Sequence, residues 1–135
     1  MLVEADRLHI PQTTTQTARV EVFAERLVNQ LGIQPALNGR DYLAYGIVLC
    51  IHTPLLRCLL TKELYPRLAR HFGTSAQCVE RSIRHAIAQA WTDGGIMHWR
   101  HIFASFRAFT PGIKPTTGKL IAMAVLLYHA ENPET

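Results

Sequence analysis

No stretch of this 135-residue sequence alternates apolar and polar residues for long enough to read as a strand, and no internal repeat appears. No apolar run approaches the ~18–20 residues of a membrane span. No charged, apolar, small-residue leader opens the chain, so a cytosolic protein is expected. Cysteine is sparse and odd in number: Cys50, Cys58 and Cys78 sit in apolar or helical segments. That pattern argues against a disulfide framework and for free thiols in a reducing compartment. Also missing are a Gly-rich phosphate loop, a Ser–His–Asp set and any paired carboxylates, so no enzyme and no cofactor are expected. Cys50, His52 and Cys58 lie close together, and His98 and His101 form H-x-x-H, but neither group has the ligand spacing of a zinc finger. No metal is expected.

What is present is a globular composition. Hydrophobic residues make up 48% and charged residues 18%, too apolar for a disordered chain. A chain of this length forms one domain and buries roughly two thirds of its unfolded surface. Lys and Arg number 14 against 10 Asp and Glu, giving +4 with neutral His and an isoelectric point near 9.3. This mild basicity permits a polyanionic partner without requiring one.

Residues 1–16 lack sustained periodicity and run into "PQTTTQT"; they read as a tail or linker, with the folded domain at 17–131. From Thr17, the residues Val20, Phe23, Ala24, Leu27, Val28 and Leu31 make one apolar stripe, stopped by Gly32. Arg40 to Ile51 reads as a largely apolar second helix. Between Thr61 and Phe72, Pro66 predicts a turn or kink followed by a firm helix. A helix is expected from Thr74 to Trp91, one or two helical turns within 96–109, and a last amphipathic helix at Thr117–His129. The aromatics Trp91, Trp99, Phe103, Phe106 and Phe109 read as core. The fold class is therefore all-α, about six helices around a helix-turn-helix.

The informative stretch is "TSAQCVERSIRHAIAQAW", Thr74 to Trp91. At 100° per residue, Val79, Ile83, Ala86, Ile87 and Ala90 share one arc of about 100°. Gln77, Arg81, Arg84 and Ala88 lie opposite, with Cys78 and His85 a little off-centre. Thr74 and Gln77 fit a T-x-x-Q capping box. A short helix, a tight turn at Gly73, then a longer helix with an exposed basic face is how a DNA-binding helix-turn-helix reads. Arg pairs with guanine, Gln with adenine, and Glu accepts from cytosine in a major groove. Thr74 and Ser75, at the helix start, fall where backbone N–H groups meet phosphate.

"TKELYPRLARHFGTS" with "VERSIRHAIAQAW" closely resembles the C-terminal effector domains of the sporulation response regulators, the stage 0 sporulation protein A family. The family pattern there is similar to "TK-LYP-IA--F-T" and "VERAIRHAIE-AW". "KPTTGKLIAMA" is similar to its "KPTNSEFIAM", and Ile96 and Phe103 keep its I-x6-F spacing. The resemblance runs through roughly residues 17–127. It implies an effector domain of the bipartite response regulator type that binds double-stranded DNA as tandem domains and contacts the sigma subunit of RNA polymerase. By position it implies that Glu80 and Arg81 face bases and that Arg84 and His85 make phosphate or flanking contacts. It places the sigma-facing surface near Ile96 to Phe103. Two departures stand out. Cys78 occupies the position of a family arginine, and losing such a guanine reader removes ~1–3 kcal/mol of discrimination. No receiver domain with a phosphoacceptor pocket is visible, so phosphorylation control is not assigned. A second reading follows from Cys78 and the modest charge: a protein-interaction module that kept the fold and lost sequence-specific DNA binding.

Overall fold

The computed structural model describes residues 10–133, with side chains from Thr15 onward. Six α-helices are present among them: α1 (Ile10–Gln30), α2 (Asn38–His52), α3 (Tyr65–Phe72), α4 (Ala76–Ala90), α5 (Ile96–Phe103) and α6 (Thr117–Glu131). No strand occurs among the described residues, and no helix there is long and apolar enough to cross a membrane.

The stripe on α1 is buried as its spacing dictates, with Val20, Phe23, Ala24, Leu27, Val28 and Leu31 in the core. Gly32 takes a left-handed φ of 81°, and the Ile33 N–H returns to the Val28 carbonyl at 3.1 Å, a glycine-closed helix end. The helix starts earlier than expected. Backbone helix covers 10–16, which periodicity had left in the tail, because a polar Thr/Gln run carries no stripe to reveal it. Residues 1–9 of that expected tail lie outside the described residues.

Thr53 closes α2 before Pro54, and a short 3₁₀ segment, Pro54–Cys58, follows. A wide π-turn, Leu60–Leu64, then feeds α3, with Pro66 in the first turn of that helix, where its missing N–H costs nothing. Between α4 and α5 the chain breaks at Asp93 and at Gly94, whose φ is 102°. The helix expected somewhere in 96–109 stops at Phe103. Phe106 and Phe109 are reached by successive single turns, Phe106 N–H to Phe103 O at 3.0 Å and Phe109 N–H to Phe106 O at 3.1 Å. Spacing of three serves such turns as well as it serves a helix, and both rings still pack within 6.1 Å of the Phe103 ring.

The core gathers every helix. Trp99 is fully buried and donates Nε1–H to the Leu31 carbonyl at 2.9 Å, tying α5 to the end of α1. Tyr128 of α6 meets Phe23 of α1 edge to face at 5.2 Å. At the rim, Arg40 bridges α2 to α1 through Glu25 at 2.8 Å and Asn29 at 2.7 Å. Helix α4 packs chiefly on α2 and α3, so the most solvent-facing side of α4 has a fixed frame beneath it.

Candidate nucleic-acid interface

Helix α3 ends at Gly73 in the left-handed region, φ 69° and ψ 40°, and the Thr74 N–H closes back to the Ala69 carbonyl at 2.9 Å. Only residues 73–75 separate α3 from α4. The cap of α4 is Ser75, not Thr74: the Ser75 hydroxyl accepts from the Cys78 N–H at 3.0 Å. The expected Thr74–Gln77 capping box is therefore replaced by a single serine cap one residue later. Two adjacent hydroxyl residues offered two registers, and Ser75 has the extended backbone, φ −100° and ψ 156°, directly followed by helix.

The phase of α4 is as the periodicity requires. Val79, Ile83, Ala86, Ile87 and Ala90 are all buried, while Gln77, Arg81, Arg84 and His85 are exposed. Thr74, Cys78 and Glu80 are half-buried along the margins, and Ser75 is exposed at the cap. The structure thus brings all eight sequence-derived positions to one end and one outward side of α4. It divides them into a central stripe and two flanks.

On one flank, Ser82 and His85, together with Arg81 of the central stripe, border a groove of about 400 Å³ whose far wall is Leu37, Asn38 and Gly39, where α2 begins. On the other, Glu80 and Arg84 form an ion pair. Arg84 donates Nε–H to Glu80 at 2.9 Å and a terminal N–H to its other oxygen at 3.5 Å. Hydrogen bonding to Glu80, and then its charge, hold the guanidinium pKa above its ordinary value. An exposed i,i+4 pair of this kind adds little to the stability of a fold, so its geometry matters more than its energy. This flank borders a cleft of about 450 Å³ whose other wall is Lys114 to Gly118, the end of the loop before α6 and the first residues of that helix. Within it, burial raises the Tyr65 hydroxyl pKa, partly offset by hydrogen bonding from Thr117. Spacing along α4 gave no sign of Asn38, Gly39 or Lys114, which reach the site from distant segments.

Cys78 sits beside Tyr42, with its Sγ 3.8 Å from the Ser82 hydroxyl. Hydrogen bonding from Thr74, then from Ser82, with a smaller pull from Arg81, holds its thiol below the ordinary value despite partial burial. Cys50, packed in the core, is pushed up to about 12 by burial.

The face expected to meet sigma is mixed. Trp99 and Phe103 are fully buried, whereas Ile96 and Met97 remain 44% and 64% exposed. Trp91 stays half-buried against Trp99 at 5.3 Å.

Over residues 24–127, the chain matches the protein family described as Sporulation initiation factor Spo0A C terminal. The matched span runs from within α1 to within α6 and contains the whole of α3, the turn and α4.

Proposed function

The chain belongs to the family of the C-terminal domain of sporulation initiation factor Spo0A, a family of DNA-binding regulatory domains and not of enzymes, and from that premise we propose that it regulates transcription by reading DNA sequence with α4 in the major groove. The observation that carries the proposal is the single exposed stripe of Gln77, Arg81 and Arg84 on a helix whose opposite face is fully buried. A helix held rigidly by its core face presents those donors at fixed spacing, which base-edge hydrogen bonding demands. Arg81 is exposed at the centre of the stripe and is the guanine reader; Gln77 reads a neighbouring position. Thr74, Ser75, Arg84 and His85 meet the backbone at the margins. The half-buried thiol of Cys78 offers no bidentate pair, so this chain prefers a different base at that position from relatives with arginine there. Tandem domains on adjacent boxes, and contact with the sigma subunit through exposed Ile96 and Met97, belong to the same proposal.

Selection from random duplexes followed by salt titration tests it. A single enriched motif, and an affinity falling by about 0.9 log units per log unit of salt for each phosphate neutralised, are expected. Cys78 at a base-facing position also favours the alternative, an interaction module without sequence preference. That reading requires no enriched motif and no duplex affinity at low salt.

A further inference from the structure

The cleft between α4 and the loop entering α6 has no part in reading bases, yet its walls are chemically specific. Its lining includes Leu60 and Ile87 on the apolar side and Arg84, Lys114 and Thr116, the cap of α6, against one carboxylate, Glu80. That carboxylate is already engaged: its two oxygens occupy Arg84 Nε and a terminal nitrogen at 2.9 and 3.5 Å. Lys114 is exposed and makes no ion pair among the described residues. The unmatched charge of the cleft is therefore positive, and its guanidinium is presented to a planar pair of oxygens, the geometry that carboxylate and phosphate share. Arg84 belongs both to this cleft and to the exposed stripe of α4, so a duplex seated on the stripe brings one strand's backbone along the cleft mouth.

Resting on the DNA-binding reading above, we infer that this cleft takes a backbone phosphodiester of the bound duplex, held by Lys114 and Arg84, with Glu80 as the internal occupant that the phosphate displaces. Glu80 then sets the threshold for loose binding. On a duplex that does not engage the stripe, Arg84 stays on its own carboxylate and the phosphate is held by Lys114 alone. On a matched duplex, docking of the stripe drives the exchange. The same carboxylate is the natural competitor of any phosphate, because both oxygens approach the same two N–H groups.

Two substitutions at the cleft should move affinity in opposite directions. Using the full chain, binding is measured by fluorescence anisotropy on a selected duplex and on a random-sequence duplex across a salt series. Lys114→Ala, with Lys114→Gln as the gentler variant, is expected to weaken both duplexes by the same factor and to lower the salt slope by about 1. Glu80→Gln is expected to strengthen random-duplex binding and narrow the ratio between the two duplexes. Glu21→Gln makes the same change in net charge at a different groove and should do neither. If the native chain binds duplex but both Lys114 variants keep its affinity and slope, the cleft is not a phosphate site. Should Glu80→Gln match Glu21→Gln, the displacement by Glu80 is wrong. Absence of any duplex binding by the native chain at low salt would remove the DNA-binding reading itself, and this inference with it.

Discussion

Gly39 lies so close to Ser82 that a Cβ on the glycine would collide with the serine's backbone carbonyl, and would crowd the Ala86 methyl as well. The first turn of α2 is thereby pressed onto the middle of α4, and the groove beside Arg81 and His85 owes its width to that contact. Only a residue without a side chain permits it. Gly39→Ala is expected to force the two helices apart at a cost of ~1–3 kcal/mol, the usual range for overpacking. Urea denaturation measures the loss of stability, and an unchanged midpoint would show that the helices are not locked in this way.

The start of α4 rests on one hydroxyl. Ser75→Ala removes the acceptor of the Cys78 N–H and should cost about 1 kcal/mol. Thr74→Ala leaves that bond in place and should cost less. Thermal melting of the two variants separates them; a larger loss for Thr74→Ala would restore the earlier register for the cap.

Ile83 is the centre of the buried face of α4, with no accessible surface. Ile83→Asp places an unpaired carboxylate there and is expected to remove at least about 3 kcal/mol of stability. Circular dichroism on the purified variant reads this directly. A folded Ile83→Asp domain with native melting would mean that the inward side of the helix has been misassigned.

Much of this was legible in the sequence because it depends on periodicity. The five inward residues of α4 follow from a 3.6-residue repeat, and no tertiary fact alters them. What periodicity cannot resolve is a choice between neighbours of like chemistry, which is why the cap fell on Thr74 instead of Ser75. Nor does it separate a helix from a chain of single turns when the apolar spacing is three, as at Phe103, Phe106 and Phe109. The flanks of the site were harder still. Gly39 and Lys114 stand far from α4 in sequence, and their place beside it is set by how α2 and α6 cross the core. Glu80 has the right residue type to face a base, yet the side chain four positions on claims its oxygens first.

Arg81 is exposed and carries no ion pair among the described residues. Arg81→Ala is expected to lower affinity for a selected duplex by ~1–3 kcal/mol and to relax preference at one base position. Random-site selection on native and variant protein makes the comparison. An identical motif from both would take Arg81 out of base reading.

Cys78 joins reactivity to recognition. Hydrogen bonds from Thr74 and Ser82 hold its thiol below the ordinary value, and burial holds Cys50 far above it, at about 12. Because the thiolate is the nucleophile, iodoacetamide at neutral pH should modify Cys78 well before Cys50. The sign is fixed by the direction of the shift. A lowered pKa leaves thiolate at pH values where an ordinary thiol is protonated, so the reaction should slow only as pH falls further, through the lowered value. Thr74→Val removes the largest contribution and should slow modification at neutral pH, moving the rate profile toward higher pH. Bound duplex should protect the thiol, since it lies at the start of the helix proposed to enter the groove. Peptide mapping by mass spectrometry follows both cysteines in one experiment. Equal rates at Cys78 in native and Thr74→Val protein would mean that the hydroxyl does not govern the thiol. Cys78 modified equally fast with and without duplex would place this end of α4 away from the DNA.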